Sequence, residues 1–226
     1  MAKVFLGVGH GGKDPGAVGN GLHEADLNLA IALACRDELE RHGVIVGMSR
    51  VTDEYDPVSD EAKECNAFAP DLAVEIHCNA GGGDGAEVFY RFNGDGKELA
   101  LNILAEIDKI GQNSRGAKTK KNAQGKDSYY FLRNTDCDEV ALVECAFIDN
   151  AKDILIIDTA EEQKVMGVAI AKGVLATLGI AYKADEEVIY RVQVGAYKNK
   201  ANAENMRKKL SAAGYPAIIV EGGAEQ

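Results

Sequence analysis

Lys3-Val-Phe-Leu-Gly-Val-Gly9, followed by His10-Gly-Gly12 and then by the longer segment Leu22–His42, decides the fold class. The first run is short and apolar and reads as a buried strand. The longer segment puts Leu27, Ile31, Ala34 and Cys35 on one face at helical spacing, with Gly43 as its stop. A buried strand that feeds an amphipathic helix is half of a βαβ unit.

Outward from this unit the same alternation continues. Val44–Met48 reads as a strand, Ser59–Phe68 as a helix stopped by Pro70, and Leu72–Cys78 as a strand. The Gly81–Gly85 turn leads to a strand over Ala86–Phe92, and Lys97–Gly111 is helical. Strands are expected at Ser128–Leu132 and Glu139–Phe147. The capping box Thr159-Ala-Glu-Glu162 opens a helix that runs to about Leu178, with Gly179 just beyond. The pattern predicts an α/β fold: a mixed, largely parallel central sheet of about six strands with helices on both faces. Residues 1–182 form the main domain in this reading, and the charged stretch 183–187 is a linker. Residues 188–226 form a small βαβ segment, with strands at Val188–Ala196 and Ala217–Val220 around a helix at Asn199–Ala213.

The chain of 226 residues is 46% hydrophobic, enough for a sizeable core. Its net charge of −11 lies in residues 1–183, because residues 184–226 are balanced. An acidic body argues against nucleic-acid binding. No apolar run approaches the roughly 18–20 residues of a membrane span. The N-terminus lacks the pattern of a signal peptide, so the chain is expected to be made in the cytoplasm. Five cysteines, an odd count with no C-x-x-C pair, predict free and mostly buried thiols.

Four histidines make a metal site easy to enumerate. His10 and His77 both fall at strand ends, where functional groups gather in parallel sheets. The glycines that flank His10 remove side-chain bulk. Two neutral imidazoles and a carboxylate make a zinc donor set that leaves a position for water. Glu24, at the start of the first helix, competes with Asp26 and His23 for the third place, and the helix dipole alone accounts for an acid there. His42, at a helix C-terminus, reads as a surface residue that compensates the dipole. Glu144 lies in an apolar strand, where a carboxylate is costly unless it is paired, metal-bound or facing a cleft. That placement suits a general base. Glu75, two residues before His77 and on the same face, is its rival.

Three segments in order, Gly9-His-Gly-Gly-Lys-Asp-Pro-Gly-Ala17 with Glu24, then Ile76-His-Cys-Asn-Ala80, then Leu142-Val-Glu-Cys-Ala-Phe-Ile-Asp-Asn150, resemble the zinc N-acetylmuramoyl-L-alanine amidases of the type-3 family. The resemblance implies that His10, Glu24 and His77 bind one zinc ion and that Glu144 is catalytic. It implies peptidoglycan as the substrate, cut between muramic acid and L-alanine. Ala146 stands where the family usually has Gly, and Met48-Ser49 precede Arg50 in place of the usual Leu-Thr; the role of Arg50 stays open. The tail, Tyr190-Arg-Val-Gln-Val-Gly-Ala-Tyr197 through Leu210-Ser-Ala-Ala-Gly-Tyr-Pro216, resembles the first half of a SPOR domain, a module that binds peptide-stripped glycan strands. The second half of that module has no counterpart here, so a partial segment is expected. A zinc peptidase acting within the stem peptide and a non-catalytic wall-binding protein are the alternatives. Without a signal peptide, the chain would reach the wall in the manner of a phage endolysin, or by secretion if an upstream signal was removed.

Overall fold

The computed structural model describes residues 1–184 and 192–221. They fall in two compact units, Met1–Lys183 and Ala184–Gln226. The first unit begins with β1 (Lys3–Val8), a small hairpin of β2 (Val18–Gly19) and β3 (Leu22–His23), α1 (Glu24–Arg41), β4 (Ile45–Met48) and α2 (Val58–Phe68). It continues with β5 (Leu72–Asn79), β6 (Ala86–Tyr90), α3 (Lys97–Lys109), β7 (Ser114–Lys118), α4 (Tyr130–Asn134), β8 (Val140–Phe147), a 3₁₀ turn (Asp153–Ile156) and α5 (Ala160–Thr177).

Six strands form one sheet in the order β4-β1-β5-β8-β6-β7. The first four run parallel. β6 is antiparallel to β8, and β7 is parallel to β6. The expected mixed, largely parallel sheet with helices on both faces is therefore present.

Alternation along each strand builds two unequal cores. Val4, Leu6 and Val8 of β1, Val74, Ile76 and Cys78 of β5, and Val143 and Cys145 of β8 face the larger one. There they meet Leu27, Ile31 and Cys35 of α1, Ile103 of α3, and Met166, Ile170 and Val174 of α5. The alternate positions Phe5, Ala73, Phe89, Val140 and Leu142 face a smaller core with Ala62 and Cys65 of α2 and Phe131 and Leu132 of α4. The rows on this smaller side continue toward the strand ends as Glu75 and His77 on β5, Glu144 on β8 and Glu87 on β6.

The sequence reading is corrected at the sheet edge. Ser128–Leu132 is not a strand, and the sixth strand is Ser114–Lys118. Ser128-Tyr-Tyr-Phe-Leu132 is aromatic enough to look extended. Its neighbours Phe131 and Leu132 are both buried, however, and a helical turn brings both onto the sheet. Ser114-Arg-Gly-Ala-Lys118 has no apolar alternation because it is a half-exposed edge. The capping box holds as read: Thr159 Oγ1 accepts from Glu162 N–H at 3.3 Å, and Glu162 Oε2 accepts from Thr159 N–H at 3.0 Å.

In the second unit the expected helix is α6 (Lys200–Ala212), whose cap Asn199 accepts from Ala201 N–H at 2.9 Å. Val192–Tyr197 and Ala217–Val220 form no strand. Residues 188–191, where the first of these strands was expected to begin, lie outside the described residues, as do 185–187 of the linker. α6 presents Ala203, Met206 and Leu210 on one face, half-buried at most, and buries none of its residues.

Candidate metal and catalytic site

β1 ends at Val8, and the chain turns sharply through His10 and Gly11. His10 has φ +65°, a left-handed conformation that costs a non-glycine residue about 1–3 kcal/mol and persists only where its surroundings impose it. Here they do. Gly9 O accepts from Asn28 Nδ2 at 3.0 Å and from Arg50 Nη2 at 3.2 Å. Arg50, only 2% exposed, also donates to Val8 O, Ala25 O and Thr52 O. It thus ties the end of β1 to the start of α1, and the role left open by the sequence is this tie.

Glu24 is the first residue of α1 and is buried. Its carboxylate accepts from Ala17 N–H at 2.8 Å and Cys78 N–H at 3.2 Å, and it lies between two imidazoles. His10 Nε2 is 3.3 Å from Oε2, and His77 Nδ1 is 2.9 Å from Oε1. The two rings stand 5.1 Å apart at 85°. Donor atoms of His10, Glu24 and His77 lie within 4.8 Å of one another. The second nitrogen of each ring faces a further carboxylate: His10 Nδ1 lies 2.9 Å from Asp14 Oδ2, and His77 Nε2 lies 3.5 Å from Glu75 Oε1. Backbone glycines make the space. A Cβ on Gly9 would fall 2.1 Å from His77 Cε1, and one on Gly16 would fall 2.7 Å from both Glu24 Oε2 and His10 Cδ2.

The sheet register brings Glu144 to this cluster. It pairs with His77 across β5 and β8, and with Glu87 across β8 and β6. Glu87 is neutralised by Lys118 at 2.5 Å and Arg115 at 3.2 Å. Among the described residues Glu144 has no such partner, and its buried Oε2 makes no hydrogen bond.

The electrostatics follow from these placements. Burial pushes Glu144 up to about 7, with His77 pulling the other way and Glu24 and Glu87 adding to the rise. Burial also opposes ionisation of Glu24, but hydrogen bonds from His10 and His77 outweigh it and hold Glu24 well below the usual carboxylate range. Its hydrogen bond to Glu24 raises His10. Burial disfavours the charged form of His77, yet Glu24 and Glu75 outweigh it and raise the group well above its ordinary value.

Two imidazoles and one carboxylate converging on one point, with an unpartnered buried carboxylate beside them, form a donor set that fits a catalytic zinc. The sequence-derived residues His10, Glu24, His77 and Glu144 are brought together. Glu24's rivals are not among them: His23 and Asp26 face each other at 3.6 Å on an exposed surface. His42 is not a surface residue. Its side chain is buried and stacked on Tyr182, Nδ1 donates to Glu38 O at 2.8 Å, and Nε2 accepts from Lys183 N–H at 2.9 Å. Glu61 and Glu87 were missed by the sequence reading. Alternation with Phe89 signalled Glu87, and helical spacing from Cys65 signalled Glu61.

The N-acetylmuramoyl-L-alanine amidase family matches residues 4–176, and the SPOR domain matches residues 186–225. The sporulation-specific N-acetylmuramoyl-L-alanine amidase of Bacillus subtilis (strain 168) is 33% identical over 225 residues, which is 97% of this chain and 85% of that protein. Among solved structures, Cwp6 from Clostridium difficile superposes with a TM-score of 0.75 at 38% identity, over 78% of this chain and 29% of that one. The catalytic domain of CwlV, an N-acetylmuramoyl-L-alanine amidase from Bacillus (Paenibacillus) polymyxa, gives a TM-score of 0.72 at 25% identity, over 80% of this chain and all of that one. With most of its length inside the family match and the histidine–glutamate cluster at its centre, the chain belongs to the N-acetylmuramoyl-L-alanine amidase family.

Proposed function

We propose that this chain hydrolyses peptidoglycan at the amide bond between N-acetylmuramic acid and the L-alanine of the stem peptide. The observation that carries the proposal is the buried, unpartnered carboxylate of Glu144 in register with His77 and beside the His10–Glu24–His77 donor set. His10, Glu24 and His77 would hold one zinc ion. Zinc bound there would supply Lewis acidity toward the lactyl carbonyl and lower the pKa of water.

Glu144 takes the proton of the attacking water as its oxygen bonds to the carbonyl carbon. The same carboxyl then returns that proton to the alanine nitrogen as the carbon–nitrogen bond breaks, leaving a free lactyl carboxylate and a free amine. A group held at about 7 is matched to both tasks near neutral pH. Glu24 stays an anion throughout, as its hydrogen bonds dictate.

In this reading residues 1–182 are the catalytic domain, 183–187 the linker and 188–226 a partial SPOR-like segment that contacts peptide-stripped glycan. No helix among the described residues is long and apolar enough to cross a membrane. The chain acts on the bacterial cell wall, in the manner of an endolysin or an autolysin.

Mass spectrometry of digested wall tests the reading. It should show peptides with a free N-terminal L-alanine and intact glycan. Cuts inside the stem peptide would establish a peptidase instead. Glu144→Gln should keep fold and metal but lose about 10²–10⁴-fold in rate. Native-rate cleavage by that variant would remove Glu144 from the mechanism.

A further inference from the structure

Behind His77, on the side away from Glu24, lies a second pair of buried acids that the reaction does not use. Glu75 is 3% exposed and Glu61 is 1% exposed. Glu75 sits two residues before His77 on the same side of β5, and its Oε1 is 3.5 Å from His77 Nε2. Glu61 reaches across from α2 and lies within hydrogen-bonding reach of Glu75. Its Oε1 receives Ser49 Oγ at 3.4 Å, while Ser49 Oγ itself accepts from Val8 N–H at 2.9 Å. Its Oε2 has no partner as an acceptor. A buried carboxyl oxygen that finds no donor beside another carboxylate is satisfied when it carries a proton and donates it. Burial and the charge of Glu75 push Glu61 up to about 8, in keeping with a neutral acid.

We propose that Glu75, held in place by a hydrogen bond from the Glu61 carboxyl, is a positioning residue for His77: it accepts the Nε2 proton and so fixes Nδ1 as the nitrogen presented to the metal. The inference rests on the zinc reading above. It makes the two histidine arms equivalent. His10 is oriented through Nδ1 by Asp14, and His77 through Nε2 by Glu75, each leaving its other nitrogen toward Glu24. Such outer carboxylates fix the ring's tautomer and orientation and raise its basicity as a ligand.

Zinc affinity, measured by competition with a chromophoric chelator, tests this on the full chain. Glu75→Ala should weaken zinc binding by about 10–100-fold. Glu61→Gln, whose amide still donates to Glu75, should bind as the wild type does, and Glu61→Ala should not. ¹⁵N-histidine NMR of the zinc-loaded wild type should show His77 protonated at Nε2, a readout that a merely space-filling Glu75 would not control. Unchanged affinity in Glu75→Ala, or a His77 proton on Nδ1 in the loaded wild type, would overturn the proposal. The NMR arm decides even if the alanine variant fails to fold. Wild type that takes up no zinc would overturn the metal site itself, and this inference with it.

Discussion

Gly9→Ala adds one methyl group at the place where the fold and the chemistry meet. The new Cβ would sit 2.1 Å from His77 Cε1, 2.3 Å from Nε2 and 2.7 Å from Nδ1. Carbon–carbon contact distances are about 3.5–4.0 Å, so the imidazole must move by more than about 1 Å. The backbone cannot give way, because Gly9 O is gripped by Asn28 and Arg50, and Gly9 N–H donates to Ile76 O at 3.2 Å. The displacement therefore falls on His77, the residue proposed as a ligand. Ligand sets work within about 0.5 Å of their productive geometry, and a 1 Å misplacement costs on the order of 10²-fold, near 2.7 kcal/mol. The expected variant is folded and poor in zinc, with wall hydrolysis lowered about 100-fold. Zinc content by elemental analysis, dye release from labelled wall and a thermal melt measure the three quantities. Native zinc content and native dye release in Gly9→Ala would refute the close-approach reasoning. A collapse of the melt would show that the methyl group is accommodated by unfolding β1 rather than by moving His77.

Glu144 must be ionised to act as the base, and burial raises it to about 7; kcat/KM should therefore fall as pH drops through about 7, and a limb near pH 4.5 would contradict the buried position. Arg50→Lys keeps the charge but loses the planar fork that serves Val8 O, Gly9 O, Ala25 O and Thr52 O; it should cost on the order of 3 kcal/mol and lower Tm by about 10 °C, and a native melt would remove Arg50's tying role. The acidic excess in residues 1–183 faces an anionic wall, so activity should rise as ionic strength increases from low values; a flat profile would count against that electrostatic barrier.

Much of this molecule was legible in the chain. Strand–helix alternation from Lys3 to Leu178 is a local property, set by side-chain periodicity and by punctuation such as Gly43 and the Thr159 capping box, so the sequence alone displays it. His10, His77 and Glu144 declared themselves because a polar group at the end of, or inside, an apolar strand needs a reason to be there. The edge was less legible. β7 carries so little apolar surface that nothing in Ser114–Lys118 announces a strand, and pairing with β6 alone makes it one.

What only the tertiary structure decided is which carboxylates meet which histidines. Glu24, Asp26, Glu75 and Glu144 are all carboxylates that spacing along the chain does not rank; the family resemblance singled out Glu24 and Glu144, and the packing shows how they reach the histidines. Parallel register sets Glu144 beside His77, and the α1 entry angle, fixed by Arg50 and Asn28, turns Glu24 between the two rings while Asp26 points outward to His23. The physical reason is that local periodicity is encoded within a few residues. The site is a convergence of side chains from positions as far apart as residues 10, 24, 77 and 144, and only the packing of the sheet brings them into one place.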